Sequence, residues 1–244
     1  MSKVTANDIA KMIDHSLLKP EMTAQEVIDG CLLAKKYGCA TVCVKPCDVE
    51  LARETLKNSD VLVTTVIGFP HGSNLTSIKV KEAELAISQG CEELDMVINI
   101  GWLRSGYYDR VEHDIRTVCN VAHKQDVIVK VILENFYLSD EEKKIACEIC
   151  EHAGADFVKT STGYAAGGAT IHDLKLMRSA CSEKVRIKAA GGVRTLDAAL
   201  MVRAVGAVRF GATATKEIIE QAREREKEGT LELPNSIKEL TAGY

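Results

Sequence analysis

The sequence predicts an α/β protein built as a single (β/α)8 TIM barrel behind a short leading helix. Two observations carry this. Short apolar runs, rich in β-branched residues, recur along the 244 residues, and near-continuous hydrophobicity is what a parallel strand covered on both faces shows. The runs end near residues 16, 44, 67, 98, 133, 159, 188 and 210, so successive spacings range from 22 to 35 residues, about one strand–helix unit each. An open doubly wound sheet shares this grammar, but eight regular units with no proline- or serine-rich linker favour closure into a barrel. One domain is expected over residues 1–244, with 236–244 as a flexible tail.

Taken in order, the leading helix precedes a strand at Ile13–Leu17. The clear strands follow at Ala40–Val44, Val61–Ile67, Leu94–Ile98, Val127–Leu133, Ala155–Lys159, Val185–Lys188 and Ala207–Phe210. Between them lie helices with readable starts. Thr23 with Glu26, and Ser139 with Glu142, have the spacing of capping boxes, in which a hydroxyl and a carboxylate satisfy free first-turn amides. Gly38, Gly90, Gly154 and Gly206 each follow a helical stretch and precede a strand, where a left-handed residue ends the helix.

Composition narrows the function. The chain carries 31 basic and 35 acidic side chains, net −4, with 46% hydrophobic residues. A mildly acidic globular chain argues against nucleic-acid and anionic-membrane partners, both of which favour a basic face. No apolar run approaches the ~18 residues a membrane span needs, and Met1–Ile13 mixes Lys, Asn and Asp into its apolar residues, unlike a secretory signal. Nine cysteines, an odd number in a chain of this size, suit reduced thiols in the cytoplasm better than a disulfide framework. Cys147 and Cys150 form a lone CxxC in a helical segment with no paired ligand set, so no metal is expected.

In a barrel of this kind reactive side chains gather at the C-terminal strand ends. Those ends present Asp14 and Ser16, Lys45, Phe69-Pro70-His71, Asp95 with Asn99, Glu134, Lys159 and Lys188. Lys159 and Lys188 end the sixth and seventh strands, whose backbones would lie roughly 5 Å apart. Burial and like-charge repulsion both disfavour the protonated amine, so one lysine should lose its proton more easily and serve as a nucleophile toward a carbonyl. Asp95, from the fourth strand, could hold the other lysine charged and position a water. A solvated lysine, or a structural Asp–Lys pair, is the plainer reading of each residue alone.

The segments Lys159-Thr-Ser-Thr-Gly163, Ile13-Asp-His-Ser-Leu-Leu-Lys-Pro20, Glu93-Leu-Asp-Met-Val-Ile-Asn-Ile-Gly101, Lys188-Ala-Ala-Gly-Gly-Val-Arg-Thr195 and Thr65-Val-Ile-Gly-Phe-Pro-His-Gly72 together resemble the deoxyribose-phosphate aldolase family. The resemblance runs in order from about residue 8 to 220. It implies a class I aldolase that needs no cofactor, with Lys159 as Schiff-base nucleophile, Lys188 as its pKa-lowering neighbour and Asp95 as partner in proton relay. It implies small-molecule aldehyde and sugar-phosphate substrates, and a homo-oligomer, dimer or higher. Asp14 and Ser16 match sugar-pocket positions, Ser16 standing where the family usually has threonine. Cys43 is a further candidate pocket residue.

A phosphate in this fold commonly meets glycine amides and helix N-termini after the last strands. Gly163, Gly191, Gly192, Arg194, Gly211 and Thr213 are the candidates, and Thr162 is a further substrate-binding candidate. Two departures from the family pattern stand out. Tyr164 follows the Thr-Gly where the family often has Lys or Phe, and Ala214 replaces the second of two serines. A different or unphosphorylated aldose, another Schiff-base barrel reaction, and a silent sugar-phosphate-binding homologue are therefore the alternatives. The terminal Tyr244 is a candidate for proton transfer, as in some family members; a disordered tail is the plainer reading.

Overall fold

The computed structural model describes residues 4–240. Eight strands, β1 (Ile13–Leu17), β2 (Thr41–Val44), β3 (Leu62–Ile67), β4 (Glu93–Val97), β5 (Ile128–Ile132), β6 (Phe157–Lys159), β7 (Arg186–Ala189) and β8 (Ala207–Ala212), pair in parallel with their sequence neighbours. β8 closes on β1, setting Asp14 against Gly211, so the sheet is a closed barrel. The first strand falls where the sequence places it, and the others shift by one or two residues. β6 starts two residues late because the Asp156 carboxylate takes the Val129 N–H at 2.8 Å.

Among the described residues ten α-helices accompany the strands: α1 (Ala6–Ala10), α2 (Ala24–Tyr37), α3 (Val49–Thr55), α4 (Thr76–Ser88), α5 (Ile100–Arg104), α6 (Tyr108–His123), α7 (Asp140–Ala153), α8 (Ile171–Ala180), α9 (Leu196–Ala204) and α10 (Thr215–Lys227). Both expected capping boxes form, at the starts of α2 and α7. A third, Thr5 with Asp8, opens α1. The four helix-ending glycines all have positive φ, from 69° to 97°. Residues 233–240 lie on this body. The Glu239 carboxylate accepts the Ile171 N–H at 3.1 Å, and Leu240 packs half-buried against the core.

The two faces of the strands differ in chemistry, and this positions the site. Side chains alternate along a strand. One set, including Val42, Val63, Leu94, Met96, Val129, Val131, Val158 and Ile187, joins the continuous apolar core beneath the helices. The other set includes Asp14, Glu93, Asp95, Lys130, Lys159 and Lys188, all buried. Arg209 on β8 pairs with Glu93 on β4 at 2.6 Å. Those strands stand on opposite sides of the ring, so the contact crosses the lumen. The lumen is therefore a charged layer inside an apolar sleeve. Among the described residues no helix is long and apolar enough to cross a membrane.

Candidate active site

Three strands bring the predicted residues together. Lys159 and Lys188 are register partners on β6 and β7, and both ammonium groups reach the same oxygen of Asp95, Oδ2, at 2.7 and 2.6 Å. Lys130 takes the other oxygen, Oδ1, at 2.8 Å and Glu93 Oε2 at 2.5 Å. Asp14 pairs with Lys188 and with Arg209. Four basic groups thus share three carboxylates, an excess of one positive charge. Loss of one proton from one lysine would balance the layer.

The environment selects which lysine. Burial lowers the pKa of Lys159, Asp95 opposes this, and the charge of Lys188 adds to the lowering. Lys188 is equally buried, but it faces both Asp14 and Asp95, which outweigh burial and raise its pKa. Burial opposes charge on Asp95 as well, yet Lys130, Lys159 and Lys188 hold its carboxyl well below the usual range. The same logic keeps Asp14 ionised through Lys188, Lys130 and Arg209. Lys130 is pushed up by Asp95 and Glu93 against the cost of burial, so it stays a fixed cation. The arrangement yields one lysine poised to lose its proton beside one that keeps it.

A cavity of about 690 Å³ opens at the C-terminal ends of the strands over Lys159 and Lys188. Asp14, Ser16 and Cys43 line its β1–β2 wall; Thr162 and Gly163 follow Lys159; Gly191, Gly192, Arg194, Gly211 and Thr213 form the β7–β8 side. Asp95 lies beneath the two lysines, fully buried. Burial pushes the Cys43 thiol up to about 11, which suits a packing role. Tyr244 lies outside the described residues.

Sequence reading did not single out Lys130, Glu93 or Arg209. Lys130 and Arg209 are each the one charged residue of their strands, and Glu93 opens β4 two residues before Asp95; those are the available signals. Tyr164 also takes a definite place: its hydroxyl donates to the Leu18 carbonyl at 2.8 Å, and its ring meets Phe69 edge-on. His71 lines a neighbouring cavity instead of the one above Lys159. His123 and His172 are exposed and lie at 2.9 and 2.6 Å from Asp156 and Asp140. Among the described residues one trio has metal-ligand spacing, Asp140, His172 and Asp173. The Lys143 ammonium already lies within it, 3.1 and 2.7 Å from the two carboxylates.

The fold and the site together define a lyase of the barrel-aldolase class. The family model described as DeoC/LacD family aldolase matches residues 8–220, and the chain belongs to that family. It is 52% identical over 215 residues to a deoxyribose-phosphate aldolase of Caldanaerobacter subterraneus subsp. tengcongensis, covering 88% of this chain and 93% of that protein. It is 51% identical over 221 residues to one of Thermococcus gammatolerans, covering 90% and 98%. Among solved structures, QR15, an aldolase, superposes with a TM-score of 0.86 at 39% identity, covering 92% of this chain and 99% of that one. The tetrameric deoxyribose phosphate aldolase from Aeropyrum pernix superposes at 0.81 and 28% identity, covering 89% and 92%.

Proposed function

We propose that the protein reversibly cleaves 2-deoxy-D-ribose 5-phosphate into acetaldehyde and D-glyceraldehyde 3-phosphate through a Schiff base on Lys159. The sharing of one Asp95 oxygen by Lys159 and Lys188 carries this reading. The neutral Lys159 amine adds to the open-chain aldehyde, and loss of water gives an iminium. A base removes the proton of the hydroxyl on the carbon beyond the α-carbon. The bond between those two carbons breaks, its electrons flow into the iminium, and glyceraldehyde 3-phosphate leaves. Protonation of the enamine and hydrolysis release acetaldehyde and restore the amine. A water held by Asp95 and Lys188 is the proposed proton carrier. Borohydride with acetaldehyde tests this directly: an ethyl group on Lys159, seen by peptide mass, is expected, and its absence would refute the Schiff base.

Gly191, Gly192, Arg194, Gly211 and Thr213 would receive the phosphate. Ala214 is the N-cap of α10 and provides no side-chain cap, so the first-turn amides there are suited to an anion. One observation favours the alternative of an unphosphorylated aldose: the Tyr164 hydroxyl is engaged with Leu18, and tyrosine brings no cation where the family often has lysine. A higher kcat/KM for free deoxyribose than for its 5-phosphate would establish that alternative. Cytoplasmic residence fits nine unbridged cysteines, and homo-oligomerisation fits the tetrameric relative.

A further inference from the structure

We propose that Glu134 is a positioning residue that fixes the Thr162 hydroxyl as a hydrogen-bond acceptor toward the cavity, and so selects a substrate carrying a hydroxyl there. This rests on the Schiff-base reading of Lys159.

Glu134 follows β5 in a left-handed conformation, φ 54° and ψ 63°. The other non-glycine residues with positive φ among those described are Asn58 and Asp126, types that tolerate this region. Glutamate does not, so surrounding contacts must impose it. The Leu133 and Asn135 amides, on either side, donate to the Lys159 and Thr160 carbonyls, each at 2.9 Å. Glu134 is thereby pinned opposite the peptide of the nucleophile itself.

Its carboxylate is buried. It accepts the Thr162 N–H on both oxygens, at 3.4 and 3.2 Å, and makes a short bond with the Thr162 hydroxyl. Burial raises the pKa of this carboxyl, while the Thr162 donors and the Lys159 charge oppose the rise; with both of its oxygens accepting the Thr162 N–H, it is the hydroxyl that donates in the short bond. Thr162 Oγ1 also accepts the Tyr164 N–H at 3.0 Å. The hydroxyl hydrogen and one lone pair are then both committed within the loop, and one lone pair remains. Thr162 is a wall shared by the cavity above Lys159 and a second cavity of about 520 Å³ on the Glu134 side. Seen from the reactive side, Thr162 can accept a hydrogen bond and cannot offer one. A sugar hydroxyl satisfies it; a carbonyl or ether oxygen does not.

Glu134→Gln inverts this polarity with little change in shape. The amide oxygen can keep the Thr162 N–H, while the amide nitrogen donates to Oγ1 and releases the threonine hydrogen. Thr162→Val removes the group from the other side. Acetaldehyde has no hydroxyl and serves as the internal control. For deoxyribose 5-phosphate, kcat/KM is expected to fall at least tenfold in each variant. Borohydride trapping of acetaldehyde on Lys159 should fall at least tenfold less than that, and the double variant should lie within twofold of the worse single one. Equal losses in both readouts, or no loss with the sugar, would overturn the proposal while the wild-type adduct stands. Absence of the wild-type adduct would overturn the Schiff-base reading and this proposal with it.

Discussion

Replacing Lys188 with methionine tests whether a cationic neighbour keeps Lys159 reactive. Both ammonium groups bond to one oxygen of Asp95 at 2.6 and 2.7 Å, which places the nitrogens about 4.5 Å apart; at an effective dielectric of 20 two unit charges there repel by roughly 3–4 kcal/mol. At 1.36 kcal/mol per pH unit this amounts to about two to three units. Removing the charge also leaves Asp95 less contested, which favours protonated Lys159 further. The pKa of Lys159 should therefore rise, and the ascending limb of acetaldehyde trapping against pH should move up by about two to three units. Below that limb the rate should drop roughly a hundredfold or more. The position of the limb separates this effect from loss of a proton carrier, which lowers the rate without moving the limb. Asp14 keeps Arg209 and Asp95 keeps Lys130, so the variant retains partners for both carboxylates. Lys188→Arg should restore the position of the limb. A folded Lys188→Met protein whose limb stays in place would refute the electrostatic argument.

Three further outcomes follow from the same structure. His15 is buried, held neutral by desolvation with its pKa lowered from 6.5 to about 4. The unfolded chain therefore binds a proton that the folded one refuses, and stability should be lost as pH falls from 6.5 toward 4, by roughly 3 kcal/mol in all. Urea melts of His15→Gln across that range should show a correspondingly flatter profile. Lys130→Gln removes one buried cation from Asp95 and Glu93, which keep Lys159, Lys188 and Arg209, and should cost about 3 kcal/mol in the same assay, the low end for breaking a buried pair. Gly72 has φ +68°, and a Cβ there would sit 2.0 Å from the Ile98 carbonyl oxygen. Gly72→Ala should cost about 3 kcal/mol from overpacking and backbone strain, read as a fall of roughly 10 °C in Tm.

Periodicity made the barrel legible because each strand's outward set must be apolar to pack under helices. That set alone dictates the runs at Val42–Val44, Leu94–Met96 and Val129–Val131. Helix starts were legible where hydroxyl and carboxylate fell three apart, as at Thr23 and Ser139; the box at Thr5 was harder to see because its acidic member is aspartate. Lys159 and Lys188 could be paired because each closes its strand. Lys130 and Arg209 sit within theirs, and a single charge in an apolar run does not reveal that its strand faces a lumen lined by carboxylates from β1 and β4. Nor does the order of residues reveal that Glu134, two residues past β5, turns left-handed and reaches under Thr162. The first depends on ring closure, which sets β4 across from β8; the second depends on the Leu133 and Asn135 amides pairing with the Lys159 and Thr160 carbonyls at the end of β6.

Ring closure also bears on why the site needs so many charges. A lone lysine in a dry lumen would lose its proton but would also destabilise the fold whenever it was charged. Here Lys130 and Arg209 help hold Asp14 and Asp95 ionised, and Lys188 is held charged by the same two carboxylates. What remains for Lys159 is a share of one oxygen that Lys188 already occupies at 2.6 Å. Its proton is the one whose removal brings the layer to neutrality. The depressed pKa of Lys159 is thus a property of the whole ring of side chains. Its retention should be sensitive to Lys130 and Arg209 even though neither borders the cavity.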